Sequence, residues 1–143
     1  MLNPHPVKCR FCEIIKGLAP AYFVYKSSSV VAFLDRYPVS RGHTLVVPVE
    51  HYPDLLEAPD WLLAELVKVV KKVARAQVEA LEAGGVRIIQ NNGSLAGQVI
   101  FHLHFHVIPY YAYASTRRRP LSPGEGETVA TMLRRVLERE QGR

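Results

Sequence analysis

Residues 101–109 read Phe101-His102-Leu103-His104-Phe105-His106-Val107-Ile108-Pro109. On a strand, whose side chains alternate with period two, His102, His104 and His106 share one face while Leu103, Phe105 and Val107 take the other. A half-buried strand accounts for the alternation. It does not account for every polar position being histidine, the side chain that titrates near neutral pH and serves readily as catalyst or ligand. Two chemistries fit such a row. A strand rises about 3.3 Å per residue, which sets His102 and His106 about 13 Å apart at the backbone, whereas zinc takes nitrogen ligands at about 2.0–2.1 Å. All three imidazoles therefore cannot share one ion on a regular strand, although His102 or His104 could bind one with ligands from elsewhere. The alternative is phosphoryl chemistry: a neutral imidazole attacks phosphorus, while its neighbours donate to non-bridging oxygens or protonate a leaving group.

The segment just before the row tips the balance toward phosphate. In Asn92-Gly93-Ser94-Leu95-Ala96-Gly97-Gln98, the two glycines permit positive φ and close approach of backbone amides to an oxyanion, and Asn91 and Gln98 offer side-chain donors. That loop joins a strand over Val86–Asn91 to the histidine strand over Phe101–Pro109. Further upstream, Pro59 opens a helix running to about Glu82, with Leu62, Leu66, Val69, Val70, Val73, Gln77 and Leu81 near helical spacing and Gly84-Gly85 as its stop. Before it, Tyr22–Tyr25, Val30–Leu34 and His43–Pro48 read as an antiparallel meander, preceded by a short helix over Cys9–Lys16. Beyond a Pro/Gly-rich linker near residues 115–126, Thr128–Gln141 carries an amphipathic terminal helix. Strands, one long helix and then strands again make an α+β fold.

The 143 residues suit a single domain, here a core over 9–109 with a C-terminal extension over 110–143. With 18 Lys and Arg against 13 Asp and Glu the net charge is +5, and seven arginines against four glutamates lie from Arg117 onward. So placed, the excess reads as solvated surface rather than as a nucleic-acid interface. No apolar run reaches the roughly 18 residues of a membrane span, and the two prolines in Met1–Lys8 do not suit a signal peptide, so a cytoplasmic protein is expected. Cys9-Arg10-Phe11-Cys12 has the spacing of half a zinc site; zinc, a redox dithiol and two small buried residues all remain open on spacing alone. His5 has no matched partner and belongs to the terminus.

The chain from Cys9 to Pro109 resembles the histidine triad superfamily, in its Hint-like bacterial and archaeal branch. The likeness rests on the row itself, on Phe33-Leu34-Asp35, on Gly42-His43-Thr44-Leu45-Val46-Val47-Pro48, on His51, and on Asn91-Asn92-Gly93-Ser94 through Gly97-Gln98, in that order. The resemblance implies a five-stranded antiparallel sheet that joins a second subunit's into ten strands across a homodimer. It implies hydrolysis or nucleotidyl transfer at the α-phosphate of a purine nucleotide, from a phosphoramidate or a dinucleoside polyphosphate, through a covalent nucleotidyl-histidine. His104 would be the nucleophile, the His102 carbonyl would hold its far nitrogen, and His106 and His43 would support the phosphate and the protonation network. Asp35 would accept the ribose hydroxyls. Phe11, Ile14, Phe33 and Leu34 would form the base pocket, although periodicity alone makes them core. Relatives with the Cys pair imply a structural zinc on Cys9, Cys12, His51 and His102. Val99 stands where relatives commonly carry Ser or Thr, and valine donates nothing to a phosphate or leaving group. Outside the resemblance, a metal-dependent enzyme built on the histidine cluster and a non-catalytic nucleotide-binding module are the competing readings.

Overall fold

The computed structural model describes residues 8–114 and 117–141; His5 lies outside them. The chain forms α1 (Arg10–Ile15), β1 (Phe23–Lys26), β2 (Val30–Leu34), β3 (Thr44–Pro48), α2 (Asp60–Leu81), β4 (Gly85–Ile89), β5 (Phe105–Tyr110) and α3 (Pro123–Gln141). The expected meander is present, and the whole sheet is antiparallel in the order β1-β2-β3-β5-β4. Among the described residues, no helix is long and apolar enough to cross a membrane.

Residues of β2 and β3 are buried throughout, which explains why both read as continuous apolar runs instead of alternating. Val30, Ala32, Leu34 and Val46 join the core beneath α2 and α3, whereas Val31, Phe33, Leu45 and Val47 pack on the opposite side with Phe11 and Ile14 of α1. Gln77 ties α2 to the sheet, its Nε2 donating to the carbonyls of Gly42 at 3.0 Å and Val107 at 2.9 Å. Gly42 has φ +94°, a left-handed conformation that favours glycine, and a Cβ there would crowd the Leu81 side chain of α2.

Two expectations need correction. The histidine strand is shorter than Phe101–Pro109: its partners end opposite Phe105 and His106, so residues 101–104 run beyond the ladder. There the amide of Leu103 bonds to the Tyr52 carbonyl at 2.7 Å. The alternation nevertheless persists, with Leu103, Phe105 and Val107 in the helix-side core. The terminal helix begins at Pro123 rather than Thr128, because Pro fits the first helical turn and the Ser122 hydroxyl accepts the Glu125 amide at 3.3 Å. Val129, Ala130, Leu133, Val136 and Leu137 of this helix lie in the same core as α2.

Candidate functional site

A cavity of about 750 Å³ opens where α1, the ends of β2 and β3, the loop after β4 and the histidine row meet. Phe11, Ile14, Phe33, Asp35, Asn91, Gly97, Val99, His104 and His106 line it. Phe11 meets Phe33 edge to face at 5.4 Å and His104 at 5.1 Å, so an apolar floor adjoins the imidazoles. Leu34 borders the cavity while belonging to the helix-side core.

The partners of each ring fix where its proton sits. His104 Nδ1 lies 2.7 Å from the His102 carbonyl, which can only accept, so Nδ1 carries the hydrogen and Nε2 keeps a lone pair. The amide of Val39 donates to His43 Nδ1 at 3.0 Å, which puts the His43 proton on Nε2. That Nε2 stands 3.0 Å from His106 Nδ1 and donates to it, leaving His106 with its own hydrogen on Nε2. The Val39 amide thus sets, through two rings, an N–H on His106, while the His102 carbonyl leaves a bare nitrogen on His104; the two ring centroids lie 5.0 Å apart. Burial keeps these rings neutral: it drives His43 down to about 3 and His106 to about 4, assisted by neighbouring rings and Arg118, and it lowers His104 as well.

Asp35 caps its own turn and borders the cavity. Its Oδ1 accepts the Tyr37 amide at 2.8 Å, the turn cap, while Oδ2 lies 3.5 Å from His43 Nε2 at the cavity. Burial raises its pKa, opposed by the Tyr37 amide and Arg118. Gln98 is a correction. It is 3% exposed, its Nε2 donates to the carbonyls of Pro53 at 2.6 Å and Ile100 at 3.1 Å, and its Oε1 accepts the Gly93 amide at 2.8 Å. Its polar atoms hold the glycine loop together and leave no donor for a ligand. Gly93 and Gly97 do adopt positive φ, +91° and +95°.

His102 turns away from the cavity. Its Nε2 faces the Pro48 carbonyl at 2.8 Å and carries the hydrogen, so the Nδ1 lone pair points to Cys9 Sγ at 3.4 Å, Cys12 Sγ at 3.5 Å and His51 Nδ1 at 3.2 Å. Cys12 Sγ is 3.4 Å from His51 Nδ1. A tetrahedral zinc has S···N edges of about 3.5 Å and an N···N edge of about 3.3 Å, which these four separations approach, and all four donor atoms lie within 4.8 Å of one another, so the set fits such an ion. Without a cation, burial and the Cys9 thiol push Cys12 up to about 11. A metal supplies the positive charge that thiolates here require. Asp35, His43 and His106 also bring donor atoms together. They fit poorly, because a metal on His43 Nε2 would force a hydrogen onto Nδ1, against the Val39 N–H.

Sequence reading missed several cavity residues. Arg10 and Tyr22 line it, and so do Arg118 and Leu121 from the C-terminal segment. The arginine run was legible as charge, but its contact with a turn some 80 residues earlier has no local signal.

The sheet order, with a histidine row entering the start of β5, is that of the HIT fold class. A family model described as the HIT domain matches residues 16–113. The chain belongs to the HIT family, a superfamily of nucleotide-binding proteins and hydrolases. It is 37% identical over 136 residues to an adenylylsulfatase of Arabidopsis thaliana, covering 90% of this chain and 69% of that protein. Its fold matches a hypothetical histidine triad nucleotide-binding protein from Sulfolobus tokodaii strain7 with TM-score 0.87 and 41% identity, over 93% and 94% of the two chains. A Zn-bound histidine triad family protein from Mycobacterium smegmatis matches with TM-score 0.84 and 36% identity, over 94% and 96%.

Proposed function

We propose that the protein cleaves purine nucleotides at the α-phosphate, as a hydrolase or nucleotidyl transferase working through His104. The observation carrying this reading is the pair of neutral rings with opposite free atoms, a lone pair on His104 Nε2 beside an N–H on His106 Nε2. His104 Nε2 attacks the α-phosphorus in line as the bond to the leaving group breaks. The His106 N–H donates to the phosphate and to the departing atom, nitrogen in a phosphoramidate or oxygen in a polyphosphate, and His43 keeps it in the donating tautomer. Attack by water or another acceptor on the nucleotidyl-histidine then releases the nucleotide and restores His104. Asp35 accepts the ribose hydroxyls, Asn91 and the Gly97 backbone border the phosphate, and Phe11, Ile14, Phe33 and Leu34 hold the base. Gln98 serves by shaping the loop.

Cys9, Cys12, His51 and His102 would hold a zinc ion, whose contribution is structural. The set pins α1 to the backbone whose His102 carbonyl orients the nucleophile. Keeping both cysteines as thiolates suits a reducing compartment, the cytoplasm. The free edge of β4 is where a second copy would extend the sheet to ten strands.

Adenosine 5′-phosphoramidate, a diadenosine polyphosphate and adenylyl sulfate form the test panel; the last is included because the Arabidopsis relative is named an adenylylsulfatase. At least one should yield AMP, and His104→Ala should abolish turnover while retaining AMP binding. Full turnover by that variant would refute the mechanism. Binding without cleavage across the panel would favour a sensing module.

A further inference from the structure

One end of the cavity is closed by the C-terminal segment, which the proposed reaction leaves without a role. The Leu121 amide donates to the Arg36 carbonyl at 2.9 Å, and the Arg118 guanidinium donates to the Tyr37 carbonyl. Arg118 Nη1 also stands 3.8 Å from Asp35 Oδ1, the oxygen that accepts the Tyr37 amide. One carboxylate oxygen is therefore engaged by a backbone amide and faced by a cation, while Oδ2 lies nearer His43. The segment is itself anchored: Arg119 pairs with Glu125 at 3.3 and 3.4 Å, and α3 crosses the Tyr22 ring at Gly126, where a Cβ would meet the ring at 2.6 Å.

A carboxylate that accepts hydrogen bonds from two ribose hydroxyls must be ionised and held in one rotamer. Among the described residues, the groups facing Asp35 are Arg118 from the C-terminal segment, His104 from the histidine row, neutral His43 just before β3, and Arg36 from its own turn. Arg118 is the permanent cation within ion-pair reach of Asp35 among the described residues.

We propose that Arg118 is a positioning residue for nucleotide recognition, holding Asp35 so that its other oxygen reads the ribose hydroxyls and making ribose selection depend on the C-terminal segment. This rests on the reading of Asp35 given above. With 52% of its side chain exposed, Arg118 is expected to contribute modestly.

The test is equilibrium binding of AMP and of 2′,3′-dideoxyadenosine monophosphate to the full-length protein, which requires no turnover. Wild type should prefer AMP. Arg118→Gln should weaken AMP binding about 3- to 10-fold and leave the dideoxy analogue unchanged, with part of the loss recovered by Arg118→Lys. The AMP preference should also fail at a higher pH in Arg118→Gln, since the lost cation no longer favours ionised Asp35. Equal weakening for both nucleotides would show a wall and not a positioning residue, and no weakening at all would equally overturn the proposal. If wild type binds both alike, the Asp35 reading itself fails, and that result appears before any arginine is changed.

Discussion

His43 and His106 pass one hydrogen-bond direction from the Val39 amide to the cavity, and both must be neutral to do so. Their pKa values, about 3 and about 4, lie below the unfolded value of 6.5. Below pH 6.5 the unfolded chain therefore binds more protons than the folded one, and stability falls as pH drops, levelling only below the folded values. Melting temperatures should decline from pH 7 to pH 4.5, and His43→Gln should flatten that decline by up to about one proton's worth of slope. An unchanged slope would mean His43 charges freely in the fold. Val99 gives a second test at this scale. It is 82% exposed and lines the cavity, so serine fits there and adds a donor. Val99→Ser should shift the panel ratio toward phosphoramidate by about 3- to 10-fold, the worth of one hydrogen bond. The histidine row was legible because period two needs no tertiary information. Gln98 was not, because the same amide can face a ligand or the Pro53 carbonyl, and only the fold decides.

At the scale of elements, α3 shows what local rules reach and where they stop. Pro123 and Gly126 looked like linker, yet proline suits a first turn, and glycine is required where the helix crosses Tyr22. Gly126→Ala should cost about 1–3 kcal/mol by overpacking, read as a lower denaturation midpoint, and should weaken nucleotide binding because Tyr22 lines the cavity. Unaltered stability would show that the ring moves freely. β2 and β3 were readable from composition because both of their faces are covered, whereas the start of β5 depends on where β3 and β4 stop. Short α1 owes its place to tertiary contacts. It has six residues, too few to be stable alone, and is held by Phe11 and Ile14 beneath the sheet and by Cys9 and Cys12 beside His51 and His102. Purified protein should carry about one zinc per chain, as the four-donor set demands. Chelation should lower the melting temperature and raise hydrogen exchange in α1 ahead of α2. Metal-free protein with intact thiols and an unchanged melt would exclude the zinc.

For the whole molecule, the question is what the sheet does at its open side. Among the described residues, β4 pairs with β5 alone, and Gly85, Arg87 and Ile88 are exposed along it. An unpaired edge carrying an exposed isoleucine invites pairing with another strand. Pairing with the same strand of a second copy would satisfy both edges at once and close the assembly with twofold symmetry. The loop carrying Gly93 and Gly97 follows β4 directly, so such an interface would steady one wall of each cavity. Ile88→Pro should block the pairing, since it removes a backbone donor on the open side: the Tyr110 carbonyl accepts the Gly84 amide and so faces β4, which places the ladder to β5 at Gly85, Arg87 and Ile89. Sedimentation at micromolar concentration should then give a monomer where wild type gives a dimer. AMP binding should persist in the variant, because the residues assigned to the base, ribose and phosphate all come from one chain. A wild-type monomer would leave β4 as a solvated edge, and loss of both binding and folding in Ile88→Pro would be resolved by Ile88→Lys, which keeps the backbone donor while placing charge at the edge.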